Sequence, residues 1–149
     1  MVIVNLEVNM ENALSHATRV AVVDDHIIVS EMLALSITKA PDLELAGTAV
    51  NTVDAMRLIK REYPDVLLMN YQLPYGNCVD TIKEILVESP KTRVVLLGTA
   101  ADDALVTRAR DAGCAGFLGK NSSISDVLSA IRAAVRGRAI NRTGAFSTP

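Results

Sequence analysis

Five short apolar runs, each followed by a longer stretch of helical period, leave this 149-residue chain few folds. The runs are Arg19-Val-Ala-Val-Val-Asp24, Leu43 to Thr48, Asp65-Val-Leu-Leu-Met-Asn70, Arg93 to Leu97 and Ala115 to Leu118. Short, β-branched runs of this kind read as buried strands. The third has no polar alternation, which suits a central strand covered on both faces. Helices are expected over Ile27 to Ala40, Thr52 to Tyr63, the stretch capped by Asn77 and running to Ser89, Asp103 to Ala112, and Ser125 to Arg136. Pro41, Pro64 and Pro90 stop three of them. Gly113 suits a left-handed cap on the fourth. Strand-then-helix order repeated five times builds a parallel sheet with helices on both faces. Right-handed crossovers narrow the topology further.

The helical period also nominates core faces. They are Ile28, Met32, Leu35 and the stem of Lys39 in the first helix, and Val53, Met56, Ile59 and Lys60 in the second. The last helix offers Val127, Leu128, Ile131, Ala134 and Val135. Met32, Met56 and Met69 therefore read as core residues.

Half of the chain is hydrophobic, too much for a disordered segment. Cys78 and Cys114 form no CxxC, which argues against a disulfide scaffold, a zinc knuckle or a thioredoxin-type pair. They read as small, half-buried apolar residues in a reduced, cytosolic compartment. No run approaches the roughly 20 apolar residues that span a bilayer, so no membrane role is expected. The start lacks the basic region of a secretory signal. A net charge of −2 and few aromatics weaken a nucleic-acid role. The charge is uneven, however. Acids gather early, whereas Arg132, Arg136, Arg138 and Arg142 follow Val127 without an acid. A solvated face is the simpler reading of those arginines than a DNA site.

In an open doubly wound sheet the functional site lies at the carboxyl ends of the strands. There the sequence places Asp24-Asp25-His26, Asn70-Tyr71-Gln72, Gly98-Thr99 and Gly119-Lys120. Adjacent carboxylates raise each other's proton affinity unless a cation lies between them. Hard oxygen ligands beside open solvent suit Mg²⁺. Each feature alone has a plain alternative. The acids can serve a helix start, Thr99 can cap the next helix, and Lys120 can be a solvated charge. His26 reads as a surface residue at a helix start. Tyr71 and Tyr75 flank the site and read as exposed loop residues, the alternative being that they contact a partner or gate the pocket. His16 has no evident partner. The conjunction at four strand ends is the signal.

These motifs, in order, resemble the receiver domain of two-component response regulators, above all the NarL/FixJ (LuxR-type) branch. The matching stretches are Val22-Val-Asp-Asp-His26, Asp65-Val-Leu-Leu-Met-Asn-Tyr-Gln-Leu-Pro74, Arg93-Val-Val-Leu-Leu97 and Ala112-Gly-Cys-Ala-Gly-Phe-Leu-Gly-Lys120. The resemblance implies a (βα)5 doubly wound, five-stranded parallel sheet of the flavodoxin-like kind, in strand order 2-1-3-4-5. It assigns residues 19–137 to the receiver-like domain, 1–18 to an N-terminal extension and 138–149 to a tail or linker. It implies that Asp25 binds Mg²⁺ directly and Asp24 partly through water, with the Gln72 carbonyl as a third ligand. Lys120 would pair with a phosphoryl group. Phe117 would take the place of the aromatic that turns inward on activation. The fourth helix, fifth strand and fifth helix would form the output or dimer surface.

Two positions depart from the family pattern. Asn70 stands where the family carries its phosphoryl-accepting Asp, and an amide is a poor substitute for a carboxylate nucleophile. Gly98 stands, by ungapped counting, at the family's switch hydroxyl; Thr99 fills that role only if the following loop is one residue shorter. Mg²⁺ binding is accordingly expected to be weak or absent. The expected function is a non-enzymatic receiver or pseudo-receiver that is not phosphorylated at the usual position. Its partners would be a sensor histidine kinase or another signalling protein, and a second copy in a homodimer. DNA would be reached only through an output domain, for which the chain has no room. An alternative is the regulatory half of a LuxR-type DNA-binding regulator, with Asn70 natural or engineered. A further one is a flavodoxin-like protein with a phosphate-bearing cofactor, opposed by the missing glycine-rich first turn.

Overall fold

A computed structural model of the chain describes residues 17–74, 76–99, 102–137 and 140–141. The strands are β1 (Thr18–Val23), β2 (Leu43–Ala49), β3 (Val66–Asn70), β4 (Arg93–Gly98), β5 (Gly116–Gly119) and β6 (Ile140–Asn141). The helices are α1 (Ile27–Lys39), α2 (Thr52–Glu62), α3 (Cys78–Glu88), α4 (Asp103–Asp111) and α5 (Ile124–Val135). All strand pairs are parallel, in the order β2-β1-β3-β4-β5-β6. The expected five-strand order holds. The two-residue β6, in a region read from sequence as tail or linker, pairs Ile140 with Gly116 and extends that edge. Expectations for His16, Tyr75, Arg138, Arg142 and most of the N-terminal extension lie outside the described residues.

Strand alternation divides the core between the two faces of the sheet. Val20, Val22, Leu68, Val95, Leu97 and Leu118 pack on one face against Leu33, Ile37, Val127 and Ile131. Ala21, Val23, Leu67, Met69, Leu96 and Phe117 pack on the other against Leu58, Ile59, Ile82 and Ile85. All five residues of β3 are buried, as the absence of polar alternation requires of a central strand.

Four helices begin on a side-chain cap. Asn51, Asn77, Asp102 and Ser123 accept hydrogen bonds from backbone N–H groups of α2, α3, α4 and α5 respectively. Helix α1 has no such cap, because His26 turns its side chain towards the acids instead. Gly113 ends α4 with φ of 108°, as its position suggests.

Several proposed core faces need correction. Ile28, Met32 and Leu35 are exposed; α1 buries Ser30, Leu33 and Ile37. Val53 and Val135 are also exposed, while α2 buries Ala55, Leu58 and Ile59. Met69 is buried, but Met32 is not. Of the late arginines, Arg132 is committed to a two-pronged pair with Asp42, at 2.7 and 2.9 Å. Its guanidinium holds the Asp42 carboxyl below the usual range.

Both cysteines are half-buried, as expected. The Cys114 thiol lies 3.1 Å from the Gly116 carbonyl oxygen, and burial pushes its pKa up to about 12. Burial raises Cys78 too. The thiolate is the reactive form. Native protein treated with iodoacetamide at pH 8 should therefore leave Cys114 unlabelled until guanidinium unfolds the chain. Cys78 should react more slowly than a free thiol. Peptide mapping checks this; labelling of native Cys114 at the rate of a free thiol would contradict it.

Candidate functional site

Parallel strands end together, so their last residues and following turns converge. Strand β1 leads into Asp24, Asp25 and His26; β3 ends in Asn70; β4 ends in Gly98; Lys120 follows β5. Asp24 and Asn70 are 0% and 1% exposed. Asn70 Nδ2 donates to Asp25 Oδ1 at 3.0 Å and to Asp24 Oδ1 at 3.4 Å. Asn70 Oδ1 accepts from the Gln72 backbone N–H at 3.1 Å. The surroundings fix this amide orientation. Reversing it would set an oxygen against two carboxylates and an NH₂ against an N–H.

Lys120 Nζ lies 3.3 Å from Asp24 Oδ2. That oxygen is buried and receives no hydrogen bond. Asp24 Oδ1 accepts the His26 backbone N–H at 2.8 Å, which ties the start of α1 to the acid pocket. His26 Nδ1 lies 2.8 Å from Lys120 Nζ and 3.0 Å from Asp24 Oδ1. One ring nitrogen cannot satisfy both neighbours at once. Neutral and bare, it accepts from the ammonium; protonated, it donates to the carboxylate. Two carboxylates thus face one ammonium, one amide and one imidazole, where an acceptor Asp would have added a third negative charge.

The structure therefore brings Asp24, Asp25, Asn70 and Lys120 together. Gln72 contributes its N–H to Asn70. Gly98 is buried, pairs with Gly119, and accepts the Lys120 backbone N–H at 3.0 Å. Thr99 lies one residue past the strand and is exposed. Phe117 is 2% exposed, turned into the core.

Two residues make contacts that their sequence reading did not specify. His26 is exposed, yet it contacts the acid pocket and Lys120. Tyr71 is half-buried, not an exposed loop residue. Its ring lies on Gly98, where an added Cβ would come 1.7 Å from Cε1 and 1.8 Å from Cδ1. The pairing of Asn70 with Leu97 carries that signal, since the next residues along are Tyr71 and Gly98. A large side chain beside a glycine at adjacent strand ends is a packing pair.

The response regulator receiver domain family matches residues 20–132 of this chain. The chain belongs to that family. Receivers are signalling domains rather than enzymes in the ordinary sense. An uncharacterized transcriptional regulatory protein, YxjL of Bacillus subtilis, is 36% identical over 125 residues, which is 84% of this chain and 57% of that protein. The transcriptional regulatory protein NarL of Mycobacterium tuberculosis is 30% identical over 129 residues, 87% of this chain and 60% of that protein. The chain thus spans little more than half the length of these relatives. The solved signal receiver domain of that NarL matches with a TM-score of 0.77 at 30% identity, covering 81% of this chain and 98% of that one. A LuxR-family response regulator from Aurantimonas matches with a TM-score of 0.76 at 27% identity, covering 82% of this chain and 87% of that one.

Receiver domains bind Mg²⁺ at an acidic pocket, and Asp24 and Asp25 supply that acidic group here. With His26 they set three ligand atoms within 4.8 Å of one another. The fit to a hard cation is partial. Asp24 Oδ2 lacks a hydrogen bond, as a ligand oxygen would, but Asn70 presents N–H groups on the side where the cation needs oxygen.

Proposed function

We propose that this receiver does not take a phosphoryl group at its usual position and acts through protein contacts. The observation that carries the reading is the Asn70 amide, whose Nδ2 donates to both acids while its oxygen accepts from Gln72. Phosphoryl acceptance needs a carboxylate oxygen as nucleophile, free to attack and neutralised by a cation. Here the amide nitrogen donates to both acids, and the Lys120 ammonium offsets the charge of Asp24. The site then holds one conformational population whether or not a phosphodonor is present. Mg²⁺ binding is weak or absent, because a cation must displace the amide donor. Asp24, Asp25 and the Gln72 carbonyl would hold it, and Lys120 would face any phosphoryl group.

The partners that fit are a sensor histidine kinase or another signalling protein, and a second copy of the chain. Among the described residues no helix is long and apolar enough to cross a membrane, in keeping with work beside a kinase in the cytoplasm. A second reading rests on the relatives' lengths: these residues would be the regulatory half of a LuxR-type transcription regulator, with DNA bound by an output domain outside them. It is compatible with the first.

Incubation with acetyl phosphate and Mg²⁺ followed by intact mass tests the proposal. The expected result is unmodified protein. An adduct of about 80 Da that disappears in Asn70→Ala would overturn it. Calorimetric titration should show no Mg²⁺ site tighter than about 1 mM.

A further inference from the structure

The upper ends of β4 and β5 carry no side chain on the face shared with α2 and α3. Gly98 and Gly119 pair there, one alternation step beyond Leu96 and Phe117, which also pair. The two glycines form a bare shelf above the buried Phe117. The Tyr71 ring lies over the Gly98 end of that shelf, too close for any side chain at position 98. Its backbone is pinned, since Tyr71 N–H donates to Leu97 O at 3.0 Å. Tyr71 and Phe117 belong to the same packed cluster, with Met69 and Leu96.

From this arrangement we infer that Tyr71 is a positioning residue that locks the receiver in a single state, by roofing the Gly98–Gly119 shelf and holding Phe117 buried. Asn70 and Gly98 then belong to one device. The first removes the chemical input, and the second makes room for the ring that fixes the output. The inference deepens the reading of a receiver that needs no phosphoryl group, but it concerns Phe117 rather than Asn70.

The chain has two phenylalanines, so 4-fluorophenylalanine labelling gives two reporters, one of them at the buried Phe117. Phe117→Leu assigns its ¹⁹F resonance. In the full chain that resonance should be single and sharp, and unchanged by Mg²⁺ with beryllofluoride. Tyr71→Ala should give a second Phe117 resonance or exchange broadening. Tyr71→Phe should restore the single line, because the ring and not the hydroxyl is the roof. A shift without broadening or a second line in Tyr71→Ala would mean only a lost ring current and would overturn the inference. A steric check runs in parallel. Gly98→Thr should destabilise the parent chain, and its added loss should shrink in the Tyr71→Ala background. Equal losses in both backgrounds would also overturn it. A phosphoryl adduct on the wild-type chain with an unchanged Phe117 line would sink the proposed function and leave this inference standing.

Discussion

Asn70→Asp should lose about 2–4 kcal/mol of stability in EDTA at pH 8, and Mg²⁺ should restore much of it. The substitution is nearly isosteric, so packing does not supply the loss. What changes is the sign of the group facing Asp24 and Asp25. Nδ2 now donates at 3.0 and 3.4 Å. A carboxylate there would deliver a third negative charge to a site whose central acid is wholly buried and whose one ammonium, Lys120, already lies 3.3 Å from Asp24. Like charges so close cannot all ionise without a cation. A cation that binds only the folded form, at 100 times its dissociation constant, returns about 2.7 kcal/mol. Urea unfolding of both proteins, with EDTA and with Mg²⁺, measures this. The wild type should be indifferent to the metal. An Asn70→Asp variant equally stable in EDTA at pH 8 would show that the amide is a spectator. The same variant should gain the acetyl phosphate adduct that the parent lacks. A variant that binds Mg²⁺ yet takes no adduct would move the remaining lesion to Gly98 and the Tyr71 ring above it.

The strand ends were legible in the sequence because chemistry there is carried by residue type. Asp24, Asp25, Asn70 and Lys120 each close or follow an apolar run, and parallel pairing brings such ends together whatever the details of packing. The parts that were not legible depend on direction. Tyr71 follows a strand, and its sequence does not say whether the ring turns to solvent or back over the neighbouring strand. Only the register of Asn70 against Leu97 puts it on Gly98. His26 looks like an ordinary first residue of a helix until Lys120, 94 positions away, is beside it. Helix α1 is the clearest case. Its sequence, IIVSEMLALSITK, is apolar on two stripes, so periodicity offers two faces. Ile28, Met32 and Leu35 form the more hydrophobic one on paper. The Asp24–His26 tie at the start of the helix accompanies the other face, Ser30, Leu33 and Ile37, turned to the sheet. A helix whose entry is set by a polar contact need not bury its greasiest stripe.

The two stripes of α1 give a paired prediction. Ile37 is 0% exposed and packs with Val20, Val22 and Leu33 in one of the two core clusters. Truncating it removes buried methyl groups and leaves a cavity that close-packed neighbours fill only in part, so Ile37→Ala should cost about 2–5 kcal/mol. Leu35 is 56% exposed, two positions away on the same helix. Leu35→Ala gives up little buried area and gains a slightly better helix former, so its effect should stay within about 0.5 kcal/mol. Helix propensity is nearly common to the two changes, which leaves burial as the difference. Urea denaturation midpoints at unchanged m-value measure it, with Met32→Ala, at 53% exposure, as a third point expected to track Leu35. If Leu35→Ala and Met32→Ala proved as costly as Ile37→Ala, the outer stripe would be covered in solution. A dependence of their midpoints on protein concentration would then identify a second copy as the cover, and its absence would identify another part of the same chain.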